Sequence, residues 1–309
     1  GVAGPMSGEL GAFGEQLRKG AEQAVADINA AGGINGKKLH LNIGDDRCEP
    51  RRAVSVANDL VDENVVFVVG HFCSGSSIPA SKVYGDDGIL QITPSSTNPA
   101  LTEDAATQGI RTVFRTSGRD DRQAYKVIEW LKSDYAGESV AILDDGTAYG
   151  SEIVDVIKAK LVTADFSKAI FRSFSPRQKD FSALAADLKS AGVKAVFVGG
   201  YHDEVAPFAK ALRAAGSTAA IAGPDALNTS EFWTLAGKAG EGVRLTDGGL
   251  DLDLPSAAKV VAAFRQDGFE PEGYTLSTYA AVQAWAQAAT RRRRWASTRT
   301  RAAPKALWA

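Results

Sequence analysis

Short apolar runs rich in β-branched residues alternate with longer stretches in which apolar residues recur every three or four positions. Residues 2–6 read as a strand. A helix follows over 14–31, with Leu17, Ala21, Ala24, Val25 and Ile28 on one face. Gly32 and Gly33 stop it, and 38–44 alternates as a second strand. The same reading gives helix 51–62, strand 65–70, helix 77–86, and strands 89–93 and 112–115. Beyond Gly118 the alternation restarts with helix 121–133, strand 139–143, helix 150–163, strand 169–174 and helix 180–191. Strand 195–199, helix 203–215, strand 219–222, helix 230–239 and strand 242–246 complete it. An extended connection over 249–255 leads to helices 256–266 and 275–289. Strands separated by helices of this length imply α/β architecture, with parallel sheets covered on both faces.

The two halves resemble one another. VVFVVGHF (65–72) and AVFVGGYH (195–202) are each a buried strand, then glycine, then an aromatic at the strand's carboxyl end. Two similar lobes that face each other would line one cleft with these strand ends, because ligands of open α/β sheets bind beyond the carboxyl ends of the strands. The stretch 65–88 adds small hydroxyls (Ser74, Ser76, Ser77) at the start of a helix. The next strand ends in Thr93, Ser95, Ser96 and Thr97. A helix N-terminus with unpaired N–H groups beside such donors suits an anion such as a carboxylate.

The totals narrow the class. At 309 residues the chain has room for about two domains. Its net charge of −2 supplies no field for nucleic acid, and no apolar stretch reaches the roughly 18 residues of a membrane span. The chain opens inside a strand pattern, so a signal peptide would lie upstream of it. Cys48 and Cys73 each follow a strand pattern, and either a bridge or two buried thiols fits them.

No catalytic constellation emerges. His71 and His202 follow strands but lack partners at metal-ligand spacing, and the favoured reading is of hydrogen-bonded strand-end histidines. There is no G-x-S-x-G, and Gly8–Gly14 (GELGAFG) lacks the G-x-G-x-x-G of a dinucleotide loop. No metal or cofactor is expected. Asp225 and Asp120 fall at strand-to-helix junctions of the second half, where a carboxylate can hold an ammonium or cap a turn. Tyr149 and Tyr201 fall at strand ends there and could cover an apolar ligand group.

Taken together, GAEQAVADINAAGGINGKKL (20–39), DDRCEP, VVGHFCSGSSIPAS, GILQITPSSTNPALT, KDFSALAADLK (179–189), VGGYHDE and LSTYAAVQA resemble the branched-chain amino-acid (leucine/isoleucine/valine) binding proteins of bacterial ABC transporters. The resemblance runs from about Val2 to Ala289. It implies the two-lobed type I periplasmic-binding fold, with residues 1–117 and 249–290 in lobe one and 118–248 in lobe two. It further implies a disulfide between Cys48 and Cys73, a periplasmic location, a monomer, an ABC-importer permease as partner, and binding without catalysis.

Carried over by motif, Ser74 would bind the ligand's α-carboxylate. The Ser95 carbonyl would take the ammonium, Thr97 would bridge both groups, and Asp225 would complete the ammonium shell where the family often has Glu. Ser96, Cys73 and Asp120 flank these groups, Tyr149 and Tyr201 close from lobe two, and Phe13, Phe72 and Tyr274 wall the side-chain pocket. The expected ligand is a branched-chain or small neutral amino acid, with γ-aminobutyrate as the alternative suggested by the short Asp225 and the bulky Phe72. Arg119, beside Asp120, would admit an acidic ligand if it entered the cleft. A receptor ectodomain on the same fold and a small-molecule enzyme are the rival readings; the first needs a membrane or signalling segment and the second a nucleophile–base pair.

After about residue 290 the resemblance ends. Residues 291–309 carry seven basic residues and no acidic one. A changed reading frame or truncated product is the favoured expectation there, and a lipid- or nucleic-acid-binding tail the other.

Overall fold

In the computed structural model, residues 1–161, 166–247 and 252–301 are described. The strands β1 (Val2–Gly4), β2 (Ile43–Asp45), β3 (Phe67–Gly70), β4 (Leu90–Thr93) and β5 (Val113–Arg115) form one sheet in the order β2-β1-β3-β4-β5. A second sheet contains β6 (Val140–Asp144), β7 (Ile170–Ser173), β8 (Ala195–Gly199), β9 (Ala220–Gly223) and β10 (Arg244–Leu245), ordered β10-β9-β8-β6-β7. Every pairing is parallel, with Val2 opposite Val69 and Ile142 opposite Phe197 as examples of the register. The central strands β3, β6 and β8 are buried at every position, which is why they are continuous apolar runs and not alternating ones.

The helices are α1 (Gly11–Ala30), α2 (Pro50–Asp62), α3 (Ser74–Asp86), α4 (Ala100–Thr107), α5 (Asp120–Asp134) and α6 (Gly150–Leu161). They continue with α7 (Ser182–Ser190), α8 (His202–Ala214), α9 (Ser230–Ala236), α10 (Ala258–Gln266) and α11 (Thr275–Arg301). The apolar face read for the first helix is its buried one: Leu17, Ala21 and Ala24 are fully buried. Helix α11 returns to the first sheet, where Trp285 stacks on Phe67 at 4.7 Å. None of the described helices is long and apolar enough to cross a membrane.

Several expected boundaries move. Helix α3 starts at Ser74 and not at 77, because the carbonyl of Cys73 already accepts from the Ser76 and Ser77 N–H groups. Strand β2 is confined to Ile43–Asp45, three residues against the seven expected over 38–44. Helix α4 was not expected: Pro99 initiates it and Asn98 caps it, accepting from the Ala100 N–H at 2.8 Å. Residues 252–257 form turns in place of an extended connection, whose first part, 249–251, lies outside the described residues. Helix α11 runs past Ala289 to Arg301, so the basic segment begins as helix; 302–309 lie outside the described residues.

Gly70 shows how tightly β3 is seated. Its φ is +130°, and a Cβ there would lie 2.1 Å from the Ala3 carbonyl oxygen, so only glycine fits. Just beyond, Cys48 and Cys73 are bridged, with Cα atoms 5.5 Å apart and a sequence separation of 25. The bridge ties the loop after β2 to the N-terminus of α3. Closing a loop of this length stabilises by about 3 kcal/mol in the chain-entropy picture. Reductant should therefore lower the denaturant midpoint by a matching amount. An unchanged midpoint, or two free thiols in protein purified without reductant, would contradict the bridge.

Candidate functional site

The carboxyl ends of β3 and β4 carry the first half of the site. Between them the chain turns through His71, Phe72 and Cys73 into α3, all four residues from His71 to Ser74 being buried. A buried turn must satisfy its carbonyls, and here hydroxyls from the next strand do so. Thr93 Oγ1 donates to the His71 carbonyl at 2.8 Å and Ser77 Oγ at 3.1 Å. Ser95 and Ser96 hydroxyls donate to the Phe72 carbonyl at 2.9 and 2.7 Å. The His71 ring is clamped between Asp46 Oδ2 at 2.5 Å and the Tyr84 hydroxyl at 3.0 Å. Asp46 Oδ1 in turn accepts from the Cys48 N–H at 2.7 Å, joining the disulfide loop to the same network.

Arg115, at the end of β5, braces the other loop. Its guanidinium donates to the carbonyls of Ser96 at 3.0 Å and Asn98 at 2.9 Å. Burial pushes this guanidinium below its ordinary value, with Arg119 adding to the shift. Thr97 sits between these anchors. Its carbonyl accepts from the Asp120 N–H at 3.1 Å; its hydroxyl is buried beside the Asp120 carboxyl, and neither it nor the Ser76 hydroxyl makes a hydrogen bond of good geometry among the described residues.

The second half is built around Asp225, which opens a short 3-10 turn after β9. Its carboxylate accepts from the Tyr149 hydroxyl, from Tyr274 Oη at 2.9 Å and from Gln123 Nε2 at 2.8 Å. Burial raises the Asp225 carboxyl above its ordinary range, and the three donors work against that shift. Both phenols are pushed far above their ordinary value by burial, so they remain O–H donors. Asp120, fully buried nearby, is raised well above the carboxylate range by burial and by Asp225, against the opposing effect of Thr97. One of its oxygens has no hydrogen-bond partner among the described residues.

Five rings form the wall. Phe13 stacks on Phe72 at 4.4 Å, Tyr274 meets Phe72 edge-on at 5.0 Å, and Tyr149 lies 5.0 Å from Tyr201. Phe72 and Tyr201, 6.4 Å apart, join the two groups. The rings belong to one continuous core cluster that also takes in Val69 of β3 and Ile142 of β6. Polar contacts cross the same seam: Asn98 Nδ2 donates to the Ala148 carbonyl at 2.6 Å, and Lys179 pairs with Glu9 at 3.1 Å. Beside the seam, between α5, β10 and the start of α11, lies a cavity of about 790 Å³ with Thr97, Asp225 and Tyr274 in its wall.

The structure thus gathers Phe13, Phe72, Ser74, Ser95, Thr97, Asp120, Tyr149, Tyr201, Asp225 and Tyr274 into one region. Two expected contact residues have other duties. The Cys73 sulfur is spent in the disulfide, and the Ser96 hydroxyl is spent on the Phe72 carbonyl and on Ser77 at 2.7 Å. Arg119 lies at the cavity but is paired with Glu103 at 2.8 Å and Asp121 at 3.1 Å, so it does not reach the aromatic seam as a free cation. His202 packs edge-on to Phe13 at 5.0 Å and pairs with Glu231 at 3.1 Å. Arg115, Gln123 and Asn98 were missed, because a lone polar residue at a helix start or strand end carries no local signature.

Lobe two holds a further carboxyl pair at the seam. Asp145, after β6, and Glu204, on α8, face each other across Gly200, where a Cβ would lie 3.1 Å from Glu204 Oε2 and 3.5 Å from Asp145 Oδ2. Glu204 accepts from the backbone N–H groups of Arg177 at 2.5 Å and Tyr201 at 3.2 Å, and so sets the Tyr201 backbone. Burial pushes Asp145 up to about 6, with Asp144 adding to the shift and the hydrogen bond to Glu204 opposing it; burial and repulsion by Asp145 push Glu204 up to about 8.

The chain matches the family described as periplasmic binding protein over residues 1–306. It is 43% identical to an amino acid binding protein of Pseudomonas aeruginosa, over 93% of this chain and 77% of the other. It is 42% identical to Leu/Ile/Val-binding protein homolog 1 of Brucella abortus, over 94% and 77%. Among solved structures, the leucine binding protein LivK of Thermotoga maritima superposes with a TM-score of 0.84 at 25% identity, covering 94% of this chain and 82% of that one. The isoleucine complex of the branched-chain amino acid transporter substrate binding protein LivJ of Streptococcus pneumoniae gives 0.82 at 26%, covering 93% and 82%.

The carboxyl pair makes a pH prediction. Both folded-state values lie above the unfolded ones, so the native state holds protons that the unfolded chain releases, and stability falls as pH rises from the ordinary carboxylate range to about 8. Glu204→Gln removes that penalty and keeps an acceptor for the Tyr201 N–H. The melting temperature of the variant minus that of the parent should therefore increase between about pH 6 and pH 8, with the groups that do not interact with Glu204 cancelling in the difference. A difference that is flat or shrinks over that range contradicts the assignment.

Proposed function

The chain belongs to the periplasmic binding protein family, and from that premise we propose that it captures a neutral amino acid between its two lobes for delivery to an ABC importer. The observation that carries this reading is the pair of opposite poles buried in one aromatic seam. At one pole stand Ser74, the N-terminus of α3 and the buried Thr97 hydroxyl, a place for a carboxylate. At the other stand Asp225 and Asp120, a place for an ammonium. Nothing charged faces the ligand from Phe13, Phe72, Tyr149, Tyr201 or Tyr274, so the rest of the ligand is uncharged. A charged side chain there would be buried without a partner.

Phe72 sets the size. Its ring is stacked on Phe13 and held edge-on by Tyr274, so it occupies the side-chain end of the seam. This supports small neutral amino acids over leucine and isoleucine, and γ-aminobutyrate, which has no side chain, is the second reading. In this scheme residues 1–117 and 249–290 make lobe one, and 118–248 make lobe two. The protein acts as an extracytoplasmic monomer on a membrane permease, binds no nucleic acid, and turns nothing over. Its family is a class of solute-binding proteins, and ligand binding accounts for the buried Thr97 hydroxyl and Asp120 oxygen.

Calorimetric titration with L-alanine, L-valine, L-leucine, L-isoleucine, γ-aminobutyrate, L-glutamate, L-lysine and a sugar tests the reading. Small neutral members should bind, and glutamate, lysine and the sugar should not. Asp225→Ala should weaken binding by at least about a hundredfold, since it strips a desolvated ammonium of a counter-charge worth about 3–5 kcal/mol. Phe72→Ala should improve leucine relative to alanine. Tighter binding of glutamate or the sugar than of every neutral amino acid would overturn the pocket.

A further inference from the structure

Gln123, in the first turn of α5, is the most heavily engaged polar side chain near the cleft. Nε2 donates to Asp225 Oδ1 at 2.8 Å and to Asp120 Oδ1 at 3.3 Å. Oε1 accepts from the Asp225 N–H at 3.0 Å and from the Thr246 hydroxyl. A primary amide has two N–H donors and two lone pairs, and all four are used. Its partners come from three separate pieces of chain: the start of α5, the turn after β9, and the residue that follows β10. Thr246 is itself tied to β9, its N–H donating to the Gly223 carbonyl at 3.1 Å.

Two carboxylates sharing a buried space repel one another, and each is free to rotate unless something fixes it. Gln123 bonds to both and, through the Asp225 N–H, also grips the backbone that carries one of them. A carboxylate in its place would keep the acceptors for Asp225 N–H and Thr246, and lose both donors. Leucine would lose all four.

We propose that Gln123 is a positioning residue for ligand capture, holding the Asp225 carboxylate in its ammonium-binding orientation and at a fixed spacing from Asp120. The assignment rests on Asp225 as the ammonium partner. Gln123 does not itself touch the ligand in this scheme.

The isosteric variant Gln123→Glu separates positioning from general structural support. The introduced carboxyl, when ionised, would face Asp120 and Asp225. Tyr149 and Tyr274 reach it only through Asp225, while Asp247, Glu152 and Arg115 act on the two aspartates from farther out. When protonated, its O–H again donates to Asp225 and its C=O again accepts, which restores three of the four parent bonds and leaves out the one to Asp120. Its hydrogen-bond partners are the carboxyls of Asp120 and Asp225, while Arg119, Arg122, Lys126 and Arg244 share the wall of the cavity that Gln123 lines. The contacting carboxyls make it take up a proton at higher pH than an exposed glutamate does.

The experiment titrates L-alanine and γ-aminobutyrate separately into parent, Gln123→Glu, Gln123→Leu and Asp225→Asn proteins, at about pH 8 and about pH 5.5. Each affinity is compared with that of the parent at the same pH, and thermal unfolding checks that each variant is folded. Gln123→Glu should bind at least about tenfold more weakly at the higher pH and recover to within about threefold of the parent at the lower. Gln123→Leu should be weak at both. A Gln123→Glu protein that matches the parent at both pH values, or whose deficit is the same at both, overturns the positioning role while Asp225→Asn is inactive. Parent-like binding by Asp225→Asn removes the underlying assignment of Asp225 instead.

Discussion

A buried carboxylate, Asp225, is the constraint around which the cleft is arranged. A lone buried charge is costly, and its cost falls only when donors surround it. Tyr149 reaches it from the loop after β6, Tyr274 from the start of α11, and Gln123 from α5. Tyr274 belongs to the part of the chain packed on the first sheet, and Asp225 to the second. The hydrogen bond between them therefore exists only when the two halves meet. An ammonium placed beside Asp225 would reward the same approach, so binding and closure draw on one interaction.

The opposite wall depends on an equally local rule. The turn after β3 is buried, and its carbonyls are met by four hydroxyls from β4, its following loop and α3. This explains why serine and threonine crowd 74–77 and 93–97: most hold the backbone that presents Phe72 and Ser74. The disulfide and the His71–Asp46 pair fix the same turn from behind, through the loop after β2. A rigid wall facing a ring-lined seam is suited to selecting by size, and in the proposed scheme Phe72 supplies the limit.

Much of this was legible in the residues. The strand–helix alternation reproduces both parallel sheets because the central strands, covered on both faces, must be apolar throughout. The strand-end motifs HFCSGSS, TPSSTNP, AYG and GGYH converge because parallel strands bring their carboxyl ends to one edge. What stayed hidden was short or non-local. Helix α4 is only eight residues long and has a weakly apolar face of two buried residues, Leu101 and Ala105. Gln123 and Arg115 gain their roles from partners far away in sequence. Asp225 is 102 residues from Gln123, and no periodicity reports such a meeting. At Ser96 the motif marks the site, while the hydroxyl serves the scaffold.

A crystal structure of the protein with bound L-alanine bears most directly on the two-pole cleft. The account predicts the ligand nitrogen within about 3.2 Å of an Asp225 oxygen. It further places the ligand carboxylate at Ser74 and Thr97 beside the N-terminus of α3, with the methyl group against Phe72. An alanine bound with its ends reversed, or seated in the cavity between α5 and β10 with no contact to Asp225, would contradict it.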